Sequence, residues 1–283
     1  MAQGESRNGF TLIELSIVLV IVGLIVGGIL VGQDLIKAAE TRAQISQIEK
    51  YNQAVDTFRS KFQAIPGDMA ASTANQFGFY TGGGCIGGAA GYRDGNGLID
   101  GWAGPNVVQG GGETELFWVD ISSAIAGNLI EGSFPNSGGQ TIVCYAGNSA
   151  VMNTTPGTSF IGNYLPTAKI GHGNFIYVYE INGFNWYGLS AVTSDGCCGG
   201  FWSSPNIPVL QAYNIDKKID DGLPSTGAVL ATYLNGNNIV ANAPNAATDT
   251  TTSCYNTTSN TYSLSTSADY GAHGNCALSF RFQ

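Results

Sequence analysis

The chain has 283 residues, and its 11 Lys and Arg against 20 Asp and Glu give a formal net charge of −9. So few cations leave no clustered positive surface for a nucleic-acid backbone, and forty glycines without a strict Gly-X-Y period exclude collagen. Thirteen Tyr, 13 Phe and 4 Trp are enough for a sizeable core and exclude wholesale disorder, while the Gly, Asn, Thr and Ser around them describe a neutral, loop-rich extracytoplasmic surface.

Residues 1–9 are polar and carry Arg7. Residues 10–31 then form an apolar run interrupted by one charge, Glu14. As a helix that run is about 33 Å long, matching the roughly 30 Å hydrocarbon core of a bilayer. No small-residue cleavage site follows it, so the apolar segment is expected to be retained. Past it, Ile45, Ile48, Tyr51, Val55, Phe58 and Phe62 recur every three or four residues, which predicts an amphipathic continuation of the same helix. Gln44 and Gln47 are placed on its polar faces. Pro66 ends the pattern, giving one helix over 10–63.

Glu14 is costly near the start of a membrane helix unless it is paired. The free amine of Phe10 is a suitable partner if the chain is cut after Gly9, and between subunits such a pair would set the stagger of neighbouring helices. Gly23, Gly27, Gly28 and Gly32 follow in the run with G-x-x-x-G spacing, which permits close helix approach.

The stretch Gly9-Phe10-Thr11-Leu12-Ile13-Glu14-Leu15 followed by an apolar helix resembles the class III signal of type IV pilins and of type II secretion pseudopilins. That resemblance implies a cleaved leader over 1–9, a helix over 10–63 that spans the inner membrane at 10–31 before assembly, and an extracytoplasmic globular domain over 64–283. A prepilin peptidase would cut after Gly9 and methylate Phe10, with Arg7 holding the leader in the cytoplasm. Inner-membrane assembly machinery would then polymerise the subunit with copies of itself, using Phe10, Glu14 and Gly23. Many family members carry a proline where this chain has Val31. The implied fold is α+β and type IV pilin-like: the long N-terminal helix packed on a disulfide-linked domain with an antiparallel sheet. The implied function is a structural subunit of a cell-surface filament, of the kind used for adhesion, motility or DNA uptake. A type II secretion pseudopilin is the alternative, and Trp102, Trp186 and Trp202 on Gly-rich loops raise that of a tip adhesin.

Further along, residues 113–128 read as a helix with Leu116, Phe117, Ile121, Ala124 and Ile125 buried. Residues 141–145, 174–180 and 184–192 read as strands, the last two joined by an Asn182-Gly183 hairpin turn. Residues 208–220 read as a helix opened by Pro208 and closed by Gly222. The Ser/Thr-rich stretch 241–268 reads as loop.

Cys85, Cys144, Cys197, Cys198, Cys254 and Cys276 favour disulfides formed outside the cytoplasm. Six cysteines allow 15 pairings. Cys254–Cys276 is the readiest to propose, and a loop of about 20 residues closed in this way contributes roughly 3 kcal/mol. Cys197 and Cys198 are expected to reach different partners, Cys85 and Cys144.

Asp94-Gly95-Asn96-Gly97-Leu98-Ile99-Asp100 is the metal candidate. Asp94, Asn96, the Leu98 carbonyl and Asp100 resemble the start of a calcium loop, with Glu113 or Glu115 to close it. The expectation is therefore no cofactor, or a structural calcium. Asp216, Asp220 and Asp221 form a second acidic group in which Asp221 suits a turn cap. The pairs that glycoside hydrolysis would use, Glu113 with Glu115 or Asp220 with Asp221, are neighbours in sequence, and such neighbours rarely face each other across a cleft. No nucleophile elbow, zinc helix or phosphate loop occurs. The chain is expected not to be an enzyme.

Overall fold

The computed structural model describes residues 11–81, 93–101, 112–132, 134, 144–145, 148–149, 161–163, 165–196, 200–236, 240–265 and 274–282. Gly9, Phe10, Cys85, Trp102, Cys197 and Cys198 lie outside the described residues. The chain divides into two compact units, Met1–Glu40 and Thr41–Gln283.

A single helix, α1 (Leu12–Phe62), runs through the boundary between them. In the first unit its apolar side chains are exposed on every face, and it is long and apolar enough to cross a membrane. From Thr41 onward one face is buried, at Thr41, Gln44, Gln47, Ile48, Tyr51, Ala54, Val55, Phe58 and Phe62. This three-and-four spacing is the predicted stripe, widened by two glutamines that hydropathy assigns to the polar side. Gln44 Oε1 accepts the Ile170 N–H at 3.1 Å and Gln47 Oε1 accepts the Lys169 N–H at 2.9 Å. Gln47 Nε2 donates to Thr167 O and to Tyr51 Oη, both at 2.9 Å. The glutamines are buried because they satisfy backbone groups of the 167–170 turn, which has no strand partner for them.

Two short helices follow, α2 (Ala71–Phe77) and α3 (Glu113–Ser122). α3 stops six residues before the predicted end. Ser123 takes an extended conformation, its Oγ donates to Asp120 O at 2.8 Å, and the same Oγ accepts the Ala126 N–H. Ala124 and Ile125 are consequently exposed, while Leu116, Phe117 and Ile121 are buried as expected.

The strands are β1 (Cys144–Tyr145), β2 (Asn148–Ser149), β3 (Phe175–Ile181), β4 (Phe184–Gly196) and β5 (Gly200–Ser204). Helix α4 (Val209–Ile219) then precedes β6 (Val229–Leu230), β7 (Thr232–Leu234), β8 (Val240–Asn242), β9 (Asn245–Ala246), β10 (Tyr255–Asn256), β11 (Thr261–Tyr262) and β12 (Leu278–Arg281). The main sheet is antiparallel with order β3-β4-β12-β6, and β5 pairs with the far end of β4. Asn182 and Gly183 join β3 to β4 with φ of 55° and 79°, the positive pair that a two-residue hairpin turn requires.

One face of this sheet carries Ile176, Val178, Tyr187, Leu189, Leu278 and Phe280, all buried. Tyr187 meets Tyr51 of α1 and Trp118 of α3 there, at ring-centroid separations of 6.1 and 6.4 Å. On the other face Tyr177 lies over Gly188, where a Cβ would come within 2.0 Å of the ring. Its hydroxyl contacts Ser190 Oγ at 2.9 Å and accepts the Leu234 N–H at 3.1 Å, tying the sheet to β7.

The 241–268 stretch is less irregular than expected. β9, β10 and β11 form a small sheet, and Thr257 and Thr258 hydroxyls donate to Ala246 O and Ala247 O. Cys254 and Cys276 form the expected disulfide, both fully buried. It fastens this region to the segment leading into β12, a central strand. The fold is thus α+β: a long N-terminal helix, an antiparallel sheet domain and a disulfide near the C-terminus.

Candidate functional site

Three features concentrate charge. The first is the start of α1. Thr11 precedes the helix, and Glu14 Oε2 accepts both its N–H and its Oγ–H at 2.8 Å. Thr11 Oγ in turn accepts the Glu14 N–H at 3.3 Å. This reciprocal T-x-x-E arrangement is a capping box, satisfying helix-end donors with the side chains at the first turn. The lone carboxylate of the apolar run is therefore held by its own chain at the very end of the helix. A Cβ added at Gly23 would meet nothing within 4 Å, and the same holds at Gly27, Gly28 and Gly32, so no contact among the described residues explains these glycines.

The second feature gathers the turn after α1, the 93–100 loop and the start of α3. Asp68, Asp94 and Glu113 bring carboxylate oxygens within 4.8 Å of one another. Asp94 and Glu113 belong to the predicted set, and Asp68 does not. Asp68 accepts the Asn96 N–H at 3.1 Å and the Gly97 N–H at 2.9 Å. Glu113 accepts the Asp94 N–H at 3.2 Å and the Asp100 N–H at 3.0 Å. Asp94 accepts from the Asn96 backbone and side chain, both at 2.9 Å. Every oxygen of the three groups thus receives an N–H from the one loop.

The other expected ligands are placed differently. Asn96 turns its amide nitrogen, a donor, toward Asp94 Oδ2 and Asp100 Oδ2. Leu98 donates its N–H to Asn96 Oδ1 at 2.7 Å. Glu115 lies two residues beyond Glu113, about 200° around the helix, and is not in the cluster. Asn185 of β4 clamps the loop to the sheet, accepting the Ile99 N–H at 2.8 Å and donating to Gly97 O at 2.9 Å.

Behind the loop, Arg93 and Asp120 form an ion pair with both side chains fully buried. Arg93 donates to Asp120 Oδ1 at 2.7 Å and Oδ2 at 3.0 Å, and its Nε donates to Tyr80 O at 2.8 Å. Asp120 Oδ2 also accepts the Gly67 N–H at 2.8 Å. Gly67, with φ of 85°, passes so close to α3 that a Cβ would fall 2.4 Å from Glu113 O.

Burial pushes the Asp68 carboxyl up to about 7, against the Gly97 N–H that lowers it. Burial likewise pushes Glu113 up to about 9, opposed by the Asp100 N–H and reinforced by Asp68. The folded chain therefore holds these protons more tightly than the unfolded chain, whose carboxyls titrate near 4. Their contribution to stability is complete below that value and is lost as pH rises through about 7 and then about 9. Chemical denaturation from pH 5 to pH 9 is expected to show a fall of several kcal/mol, with about 8 kcal/mol as the ceiling if both shifts act in full. Glu113→Gln, which cannot ionise, should flatten the upper part of that fall.

Asp216, Asp220 and Asp221 also come together. Asp216 accepts from Tyr262 Oη at 2.8 Å and from the Gly222 N–H at 3.1 Å. Burial pushes its carboxyl up to about 6. Asp220 accepts the Ala228 and Val229 N–H groups. Asp221 accepts the Leu223 N–H and the Thr226 hydroxyl, both at 2.8 Å, the turn cap expected of it. Among the described residues these two carboxylate groups are the ones whose composition suits a metal.

Sequence reasoning does not single out Asp68, Arg93 or Asp120. Pro66-Gly67-Asp68 is legible only as a helix stop, and a lone Arg or Asp carries no local sign of a buried partner 27 positions away.

Compared with known proteins, residues 6–30 match the family model of the prokaryotic N-terminal methylation motif, the signature of type IV pilins and pseudopilins. No curated protein and no solved structure matches the chain. The match covers the capping box and the apolar part of α1 and none of the carboxylate brace that Asp68, Asp94 and Glu113 form around the 93–100 loop.

Proposed function

We propose that this chain is a structural subunit of a type IV pilus-like filament on the bacterial cell surface. The observation that carries the reading is the methylation motif at 6–30, laid on a helix whose apolar side chains are exposed all round. The motif implies processing by a prepilin peptidase and assembly into pilus-like polymers. With the apolar helix it fits membrane anchoring before assembly. A naked apolar helix is stable only in lipid or against copies of itself, and both conditions are met by a subunit that waits in the inner membrane and then polymerises. The chemistry asked of the globular domain is to stay folded outside the cytoplasm, where Cys254–Cys276 ties the 241–265 region to the segment leading into β12. No catalytic role is assigned to it.

The test is the N-terminus of the assembled protein. Mass spectrometry of sheared surface filaments should find a chain beginning at Phe10 with a methylated amine. A chain beginning at Met1 in assembled material would refute the reading. Filaments that stay within the periplasm would replace it with the pseudopilin.

The carboxylate brace is proposed to work without an ion. The amide nitrogen of Asn96 already occupies the approach to Asp94 and Asp100, and the loop's N–H groups engage every oxygen of the three clustered carboxylates. Calcium in place of a chelator should leave the melting temperature unchanged at pH 6. A rise of several degrees would assign a structural calcium to Asp68, Asp94 and Glu113.

A further inference from the structure

Three Asn-Gly pairs lie among the described residues, at Asn96, Asn182 and Asn235. An asparagine followed by glycine is the pair most open to intramolecular attack, because no Cβ on the next residue blocks the approach of its backbone nitrogen to the side-chain carbonyl. Whether the attack proceeds depends on what surrounds the nitrogen, the carbonyl oxygen and the departing amide.

At Asn96 all three are attended. The Gly97 N–H points at Asp68 Oδ2, 2.9 Å away, a carboxylate placed to take the proton of the attacking nitrogen. The Leu98 N–H donates to Asn96 Oδ1 at 2.7 Å, polarising the carbonyl and facing the oxyanion that attack would create. The departing nitrogen, Nδ2, donates to Asp94 Oδ2 at 2.9 Å and to Asp100 Oδ2 at 3.0 Å, which orients it, and the third proton it needs to leave is the one Asp68 takes from Gly97 N. Asn96 is also exposed, so water reaches it.

The other two pairs lack this set. The Gly183 N–H meets Glu180 Oε1 at 2.6 Å, but Asn182 sits in a tight hairpin turn and receives no N–H at its carbonyl oxygen among the described residues. Asn235 has no such donor either among the described residues.

We propose that Asn96-Gly97 is a self-modification site at which the protein converts its own asparagine to aspartate or isoaspartate. Gly97 N forms a bond to Asn96 Cγ as its proton passes to Asp68 Oδ2. The Cγ–Nδ2 bond then breaks, the proton leaves with the nitrogen as ammonia, and a succinimide remains. Water opens the ring at either carbonyl, so one water is consumed and one ammonia released, with no change in oxidation state. The product exchanges the donor between Asp94 and Asp100 for a further carboxylate. It therefore loosens the brace irreversibly and marks the age of each subunit.

The experiment is peptide mapping of the full-length chain in detergent, incubated at neutral pH, with deamidation followed at all three pairs by mass and by isoaspartate labelling. Asn96 should react about tenfold faster than Asn182 or Asn235, and Asp68→Asn should slow it by about the same factor. The sign of the second effect is decisive, since merely loosening the loop would speed the attack. Asn96 reacting no faster than Asn182, or an Asp68→Asn rate equal to or above the wild-type rate, would overturn the proposal.

Discussion

Glu14→Ala should leave the protein inserted in the membrane and remove it from filaments. The substitution makes the apolar run more apolar, so nothing in it opposes insertion. In a packed bundle of helices, however, a carboxylate must find a cation or a proton, and residues 11–31 contain no Lys or Arg. The remaining cation is the amine that processing would create at Phe10 of a neighbouring subunit. The structure adds a competitor, because Thr11 already donates twice to Glu14 Oε2 within its own helix. A second substitution separates the two roles. Thr11→Val removes the hydroxyl half of the capping box, worth about 1 kcal/mol of local helix stability, and leaves the charge in place. If Glu14 acts between subunits, Thr11→Val filaments should form in reduced but measurable yield, while Glu14→Ala and Glu14→Gln yield almost none. Comparing the membrane-inserted pool with sheared filaments for each variant gives the answer. Normal filament yield from Glu14→Ala would show that apolar packing alone sets the register, and Glu14 would be left as a helix cap.

The parts of the fold that are legible in the sequence are those set by neighbours along the chain. The stripe from Ile48 to Phe62 is a helical period, Asn182-Gly183 is a turn that needs two positive φ values, and Cys254–Cys276 is a short loop that a disulfide closes. The hidden parts are polar groups buried by distant backbone. Gln44 and Gln47 read as solvent-facing because their partners, the N–H groups of Ile170 and Lys169, lie more than a hundred residues away. The candidate site divides along the same line. Asp94, Asn96 and Asp100 share one Gly-broken turn, and Glu113 opens the next helix, so their association is readable. Asp68 enters only because the chain turns at Gly67 against α3, a contact that no spacing rule reports. What these carboxylates do also depends on donors invisible in the sequence: the loop's N–H groups and the orientation of the Asn96 amide.

The largest stability loss is expected from Asp120→Ala. Asp120 and Arg93 have no exposed side-chain surface, and the guanidinium directs its donors to Asp120 and to Tyr80 O. Removing the carboxylate leaves a full positive charge buried without its counterion and frees the Gly67 N–H as well. Breaking a buried pair from one side costs about 3–5 kcal/mol, a large share of the roughly 5–15 kcal/mol that keeps a domain folded. The loss should spread along the loop, since Arg93 adjoins Asp94 and so fixes where the 94–100 turn meets Glu113. Replacing both partners by apolar residues removes the stranded charge along with the attraction, and a pair of apolar side chains of similar size is often neutral. The double variant Arg93→Met, Asp120→Leu should therefore unfold at higher denaturant than Asp120→Ala alone, although it carries one more substitution. Equilibrium denaturation of the two variants beside the wild type makes the comparison. A double variant as unstable as the single one would mean that the ion pair itself, with its fixed geometry, holds the loop against α3.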